Sequence, residues 1–380
     1  MDNLDKQYML RAIELAKRAR GFTNPNPMVG AVIVKDGRII GEGYHERCGE
    51  LHAERNAIAS LQESAKGATI YVTLEPCCHY GKTPPCTEAI IENEISRVVI
   101  GSRDPNPLVA GKGAAILREH GIEVTEDCLR EECDELNPVF FHYISTRMPY
   151  VVMKYAMTMD GKIATKTGAS KWISGDTSRE YVHHMRHNYM AIMAGIGTVL
   201  ADDPMLNVRL IGLKSPVRVI CDSKLSIPLD SNIVKTAKEY RTIIAFAKRD
   251  YDKEAKLLEL GLELEYVPSN TEDTTGNNGQ NDKTTVIQNQ VDIRMLLKRL
   301  GELSIDSVLV EGGGTLNDSL IREKLVNRVD VFIAPKIFGS KDAKSPVEGI
   351  GIEAVNDAAY FRLKSVEQSG EDVHLIYEAI

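Results

Sequence analysis

Met9, Ala12, Ile13, Ala16 and Ala19 recur at three-to-four-residue spacing, which predicts one face of a helix over Leu4 to Arg20. The prolines of Thr23 to Pro27 end it, because a proline disfavours helix at the residue before it. Val29 to Val34 then reads as a buried strand, Asp36-Gly37 as a hairpin turn and Arg38 to Gly43 as the returning strand. Farther on, helices are expected at His52 to Ser60, Pro85 to Glu94 and Gly113 to His120, and strands at Ala68 to Leu74, Val98 to Gly101 and Ile122 to Thr125. Such alternation predicts an α/β layer with a largely parallel sheet, made mixed by the opening hairpin.

The stretch Ile144 to Pro149 has no clear period, and Tyr150 opens a new β-like run with a turn signal at Asp160-Gly161, so the expected domains are 1–146 and 147–380. The second half is again α/β. Its expected strands include Val217 to Cys221, Thr242 to Ala247 and Ser307 to Val310, and its helices Arg179 to Ala191 and Asp292 to Leu300. Met153, Met157 and Met159 alternate at strand spacing and read as packing. The polar run 269–290, rich in Asn, Thr and Gly, reads as a mobile surface insertion, since it cannot bury enough apolar surface to order itself.

With 380 residues, two domains are the leading expectation, and 43% apolar with 26% charged residues excludes global disorder. Lys and Arg number 46 and Asp and Glu 54, a net charge of -8 that argues against general nucleic-acid affinity. Local basic clusters remain able to bind a phosphorylated small molecule, because fields act over about 10 Å. No apolar run approaches the roughly 18 residues of a membrane span, and the N-terminus lacks the basic-then-apolar layout of a secretory signal, so a cytoplasmic protein without a membrane partner is expected. Seven cysteines, an odd number, point to metal binding or burial rather than a disulfide framework.

The candidate chemistry begins at His52-Ala53-Glu54, Pro76-Cys77 and Cys86. One imidazole and two thiolates form a tetrahedral zinc set with a fourth position left for water, as in catalytic sites. Glu54 is the candidate acid/base. Positions 52 and 54 stand about 200° apart on an ideal helix, so they converge only around its first turn. Two blander readings leave Glu54 unused: an N-terminal helix cap with ordinary buried thiols, or a closed structural zinc site with Cys78 or His79 as fourth ligand.

An H-x-E followed by P-C and a second cysteine resembles the cytidine-deaminase-like superfamily, in which a zinc-activated water attacks an amino-bearing ring carbon and ammonia leaves. The usual spacing there is P-C-x-x-C, whereas eight residues separate Cys77 from Cys86. Together with TNPNPMVG and GEGYHERCGELHAE, residues 4–146 resemble the deaminase domain of the bifunctional riboflavin-biosynthesis family. The resemblance implies deamination of diaminohydroxyphosphoribosylaminopyrimidine, with Asn26, His45 and Lys82 near the substrate. Otherwise Asn26 is a turn residue and Lys82 a solvated loop charge. Cys48, Cys128 and Cys133 read as non-ligands.

The runs KYAMTMDGKIAT at Lys154 to Thr165, SKWIS at Ser170 to Ser174, GIGTVLADDPMLNVR at Gly195 to Arg209 and VEGGGTLNDSLI at Val310 to Ile321 resemble the same family's dihydrofolate-reductase-like reductase domain, over 148–380. Taken alone, VEGGGTLND is a strand end, a glycine turn and a helix start with Thr315 or Asn317 as cap; its free amides either hold a phosphate or serve an ordinary tight turn. The resemblance implies an NADPH diphosphate on Gly313, Gly314, Thr315, Leu316, Asn317, Asp318 and Ser319, with Ala156, Trp172, Thr198, Asp202 and Ser223 toward the same cofactor. It implies Ser170, Arg186, Leu206, Arg209 and Glu311 toward the substrate.

Arg186 and Arg209 suit a dianionic ribose phosphate through charge-assisted forks, with a surface ion pair as the alternative. Lys154, in a buried strand, is expected to meet a phosphate or carboxylate, or to snorkel. Trp172 otherwise reads as core packing. The expectation is a two-domain enzyme using Zn2+ and NADPH, homo-oligomeric by family resemblance, that deaminates a phosphorylated pyrimidine and then reduces its ribosyl group. Its rivals are a nucleobase or RNA deaminase, disfavoured by the acidic charge, and a non-catalytic zinc-stabilised module.

Overall fold

The computed structural model describes residues 3–80, 84–106, 109–269 and 290–380. The chain divides into units Met1–Arg147 and Met148–Ile380. In the first, β1 (Gly30–Lys35), β2 (Arg38–Tyr44), β3 (Thr69–Leu74), β4 (Arg97–Ser102) and β5 (Glu123–Thr125) form one sheet in the order β2-β1-β3-β4-β5. β1 runs antiparallel to β2 and β3, and β3 to β5 are parallel.

Alternate residues of β1 face opposite layers, as strand geometry demands. Val32 and Val34 join Met9, Ala12, Ile13 and Ala16 of helix Asn3–Lys17, the face that the sequence spacing predicts. Ala31 and Ile33 join Ala53 and Ala57 of helix Ala53–Ala59 on the other side. Cys128 and Cys133 are buried in the first of these cores. The segment around residue 144 is not a periodless linker: helix Pro138–Thr146 runs through it. Its FFHY run lacks a clean apolar stripe, and Phe140 and Phe141 are only partly buried.

The second unit holds β6 (Tyr150–Thr158), β7 (Ala191–Gly195), β8 (Val217–Cys221), β9 (Thr242–Phe246), β10 (Glu263–Tyr266), β11 (Ser307–Glu311), β12 (Arg328–Ala334), β13 (Phe361–Ser369) and β14 (Asp372–Ala379). Their order is β10-β9-β8-β7-β11-β6-β12-β14-β13, parallel up to β12 and antiparallel beyond. Interior parallel strands are covered on both faces and so read as unbroken apolar runs. That is why AIMAG of β7 is absent from the expected strands: helix Asp176–Asn188 ends before Ala191. The Asp160-Gly161 turn exists, with Gly161 N donating to Thr158 O at 2.9 Å, but it ends β6 and starts no hairpin.

Met153 is buried in the core and Met157 packs against it, whereas Met159 is 58% exposed and is no packing residue. Helix Ile293–Glu302 starts where expected, with Asp292 Oδ1 accepting from Met295 N at 2.8 Å. Most of the polar run 269–290 lies outside the described residues; its ends meet through Ser269 N and Gln290 O at 2.9 Å. Among the described residues no helix is long and apolar enough to cross a membrane.

One close approach fixes where the first unit's chemistry sits. A Cβ at Gly43 of β2 would stand 2.3 Å from Ala57 N and 2.7 Å from Ala53 O, so strand backbone lies directly on helix Ala53–Ala59. Gly43→Ala therefore pushes that helix away and lowers the unit's stability by about 1–3 kcal/mol, the usual range for overpacking. Urea unfolding of the full chain, monitored by peptide-resolved hydrogen exchange, is expected to locate the loss in residues 3–147 and spare the rest.

Candidate active sites

In the first unit the helix geometry resolves how His52 and Glu54 meet. His52 is the N-cap of helix Ala53–Ala59, with extended backbone at φ -74 and ψ 162, so it precedes the helical rotation that would separate the two. Its Nδ1 lies 3.5 Å from Cys77 Sγ and 3.4 Å from Cys86 Sγ. Cys77 follows the end of β3, and Cys86 opens helix Cys86–Glu92 and sends its amide to Cys77 Sγ at 3.3 Å. The three ligand atoms lie within 4.8 Å of one another, and Cys78 and His79 are not part of the group. One nitrogen and two sulfurs at this spacing fit Zn2+ with an open position.

Glu54 is buried and its carboxyl is hydrogen-bonded to Cys86. Burial first, then the neighbouring Cys77, pushes its pKa up. The hydrogen bonds from Cys86 and His52 hold the Cys77 thiol well below its usual range despite burial. The second thiol of the pair, Cys86, is raised by the Cys77 contact and by burial.

Asn26 and His45 stand beside this centre. The His45 and His52 rings meet edge to face at 5.4 Å, and Asn26 Nδ2 lies 3.3 Å from His45 Nε2. His45 Nδ1 donates to Leu51 O at 3.0 Å, and burial lowers its pKa, which keeps the ring neutral. Lys82 lies outside the described residues. Glu75 is a residue that sequence reasoning misses. Its buried carboxylate accepts from Gly111 N at 3.0 Å and Ala114 N at 3.2 Å, tying the start of the Pro76-Cys77 loop to helix Lys112–Glu119. The only signal is a Glu before Pro-Cys, with its partner amides far along the chain.

In the second unit a cavity of about 440 Å3 opens at the C-terminal ends of β6 and β11. It brings together Lys154, Ala156, Ser170, Trp172, Arg186, Thr198, Asp202, Leu206, Arg209, Glu311, Gly313 and Asn317. Ser223, Gly314, Thr315, Leu316, Asp318 and Ser319 do not line it. Ser223 Oγ instead accepts from Val291 N at 3.2 Å, Leu316 belongs to the core, Asp318 pairs with Arg322 at 2.8 Å, and Ser319 Oγ donates to Thr315 O at 3.0 Å. Neither Thr315 nor Asn317 caps helix Gly314–Arg322; the N-cap is Gly313, at φ 82. Gly312 has φ 122, and a Cβ there would stand 2.6 Å from Thr198 Oγ1. Glycine is what lets this backbone reach the cavity wall uncovered.

Asn317 donates from Nδ2 to Pro346 O at 2.8 Å, while its Oδ1 is buried without a partner among the described residues. An orphaned acceptor beside a bare glycine turn fits a polar cofactor. Trp172 is 59% exposed, not core, with Arg179 over its ring at 4.7 Å. Ser170 Oγ donates to Asp202 Oδ1 at 3.0 Å. Asp203, Pro204, Met205 and Asn207 also wall the cavity; they lie within the Gly195 to Arg209 run without being singled out in it.

Arg186 is not free to fork a phosphate. It gives Nε and Nη2 to Glu311 at 2.7 and 3.0 Å and Nη1 to Asn207 O at 3.0 Å. Lys154 Nζ lies 3.8 Å from the same carboxylate, the carboxylate alternative for that residue. Burial raises the Glu311 pKa, but the Arg186 and Lys154 charges outweigh it and bring it down to about 2. A carboxylate depressed in the folded state stabilises fully above its unfolded pKa, roughly 4.3, and the contribution fades as pH falls toward the folded value. The stability gap between the native chain and Glu311→Gln is therefore expected to be flat above about pH 5 and to shrink from about pH 4 to 2, by denaturant unfolding at each pH. Near pH 7 the variant is expected to lose about 3–5 kcal/mol, since two buried cations are left unmatched.

Comparison with known proteins agrees with this division. Residues 149–375 match the family of the RibD C-terminal domain, and residues 2–102 match the cytidine and deoxycytidylate deaminase zinc-binding region. The chain is 53% identical over 376 residues to riboflavin biosynthesis protein RibD of Actinobacillus pleuropneumoniae, covering 99% of this chain and 96% of the relative. It is 38% identical to the RibD protein of Escherichia coli K12, covering 98% of this chain and 99% of the relative. Among solved structures, Acinetobacter baumannii RibD superposes with a TM-score of 0.86 at 37% identity, covering 99% of each chain. A Thermotoga maritima protein described as a diaminohydroxyphosphoribosylaminopyrimidine deaminase/5-amino-6-(5-phosphoribosylamino)uracil reductase does so at 0.84 and 39% identity, also covering 99% of each chain.

Proposed function

The chain belongs to the RibD family of riboflavin biosynthesis, a deaminase/reductase using Zn2+ and NADPH, and from that premise we propose which residues carry its two reactions. His52, Cys77 and Cys86 hold the zinc and Glu54 moves the protons. The observation that carries this is the convergence of His52 Nδ1 on both sulfurs with the buried Glu54 carboxyl bonded to Cys86. The proposed substrate is 2,5-diamino-6-hydroxy-4-(5-phosphoribosylamino)pyrimidine, and the product 5-amino-6-(5-phosphoribosylamino)uracil, by likeness to the Thermotoga relative.

Bound zinc supplies an activated water. Glu54 Oε would pass one proton from the attacking water to a ring nitrogen and then a second, from the added hydroxyl, to the amine that leaves as ammonia, a role suited to a carboxyl whose pKa is raised by burial. Asn26 and His45 line the pyrimidine side, and the neutral state of His45 keeps a second charge away from the reacting ring.

In the second unit bound NADPH would supply the hydride which, with a proton, reduces the open form of the ribosyl group to ribityl. The Gly312-Gly313 turn, Thr198 and the orphaned Asn317 Oδ1 support a cofactor seat. Ala156, Trp172 and Asp202 line the same cavity. Lys154, Ser170, Leu206, Arg209 and Glu311 face the substrate side, with Arg186 holding Glu311 and Arg209 as the phosphate contact. The proposal includes a cytoplasmic, homo-oligomeric enzyme acting on small molecules, with no nucleic-acid or membrane partner; the family likeness and the -8 charge support it.

The test is to give the purified chain the diaminopyrimidine ribotide, first alone and then with NADPH, following ammonia and NADPH together. Ammonia first and oxidation only after NADPH addition are expected. Glu54→Gln is expected to lose at least about 100-fold in ammonia release, the usual scale for general acid–base groups, with zinc content unchanged and reduction of supplied aminouracil intact. Retained ammonia release in that variant would remove Glu54 from the reaction.

A further inference from the structure

Arg186 and Arg209 line one cavity but meet opposite kinds of partner. The Arg186 charge is matched by Glu311. Arg209 is exposed, and its Nη2 lies 3.2 Å from Nε2 of His183, a buried residue of helix Asp176–Asn188 that also lines the cavity. A guanidinium only donates, so His183 Nε2 must accept, and the ring proton sits on Nδ1. Burial, then the charges of Arg186 and Arg209, lower the His183 pKa to about 4, so the acceptor is present throughout the neutral range. Nδ1 is buried without a partner among the described residues, so the ring's polar contact is the one made to Arg209.

We propose that His183 is a positioning residue for Arg209, a neutral acceptor that aims the guanidinium at the cavity while leaving its whole charge for a ribose phosphate monoester. The proposal rests on the reading of Arg209 as the phosphate contact. A carboxylate at position 183 would hold the same N–H but cancel the charge that a dianion needs. An aliphatic side chain there would leave the charge and lose the aim, returning a long side chain to many rotamers. Neutral hydrogen bonding alone satisfies both demands, and the Arg186 charge helps maintain it by opposing protonation of the ring.

The experiment is steady-state reduction of the phosphoribosylaminouracil and of its dephosphorylated form by the full-length chain. The variants are Arg209→Ala, His183→Leu, His183→Gln, His183→Glu and a double variant combining His183→Leu with Arg209→Ala. His183→Leu is expected to raise the KM for the phosphorylated substrate about tenfold, with kcat and the NADPH KM within about threefold, a loss of about 1.4 kcal/mol in substrate binding. His183→Gln, whose amide oxygen replaces Nε2, is expected to stay within about threefold of the native KM, whereas His183→Glu approaches Arg209→Ala.

The double variant is expected to match Arg209→Ala alone, and the dephosphorylated substrate to be indifferent to all of them. An Arg209→Ala penalty with no His183→Leu penalty would overturn the positioning role and leave the phosphate contact standing. Equal His183→Leu penalties with and without Arg209 would also overturn it, as a structural effect. No phosphate-specific penalty in Arg209→Ala would instead overturn the reading on which the proposal rests.

Discussion

A carboxylate buried between two cations governs the second unit's site. Glu311 and Lys154 are directly paired across β11 and β6, and Arg186 reaches the same carboxylate from helix Asp176–Asn188. Arg186 also holds Asn207 O, so two strands, a helix and the loop after residue 202 meet at one charge cluster. Ion pairs of this kind add little net stability against an apolar replacement, but they penalise every arrangement in which one partner is missing. The same loop is gripped from behind by Arg218, fully buried, whose Nη1 reaches Met205 O at 3.3 Å. Arg218 solves burial differently: its partners are Thr236, Thr242 and backbone carbonyls, and burial lowers its pKa to about 10. Arg186 and the fully buried Arg218 thus fix the carbonyls of Asn207 and Met205 in one cavity wall.

Much of this is legible in the sequence where chemistry is local. The cluster of His52, Cys77 and Cys86, with Glu54 beside it, is the one that H-x-E and two cysteines suggest, because a helix start and a strand end present these side chains with few alternatives. Strands β1, β2, β8 and β9 announce themselves by apolar runs with turn residues at their ends. What escapes are features set by contact across the chain. β7 has no polar alternation because both its faces are covered, and helix Pro138–Thr146 has no clean stripe because only part of it is buried. Glu75, His183 and Asn207 acquire their roles from partners 21 to 39 positions away, which no spacing rule reports. The glycine turn is recognisable, and Gly313 and Asn317 of the 313–319 segment line the cavity.

Both units hold a neutral imidazole against their chemistry, and each ring's proton is assigned by a neighbour that has no choice of its own. In the second unit a guanidinium that can only donate makes that assignment. In the first it is a carbonyl that can only accept: Leu51 O fixes the proton on His45 Nδ1, which leaves Nε2 as an acceptor. The polarity then propagates one residue further. Asn26 must turn its amino group toward Nε2, so the atom it has left over is Oδ1. A main-chain oxygen on the far side of the histidine thereby selects which half of the Asn26 amide faces away from it, a hydrogen-bond acceptor.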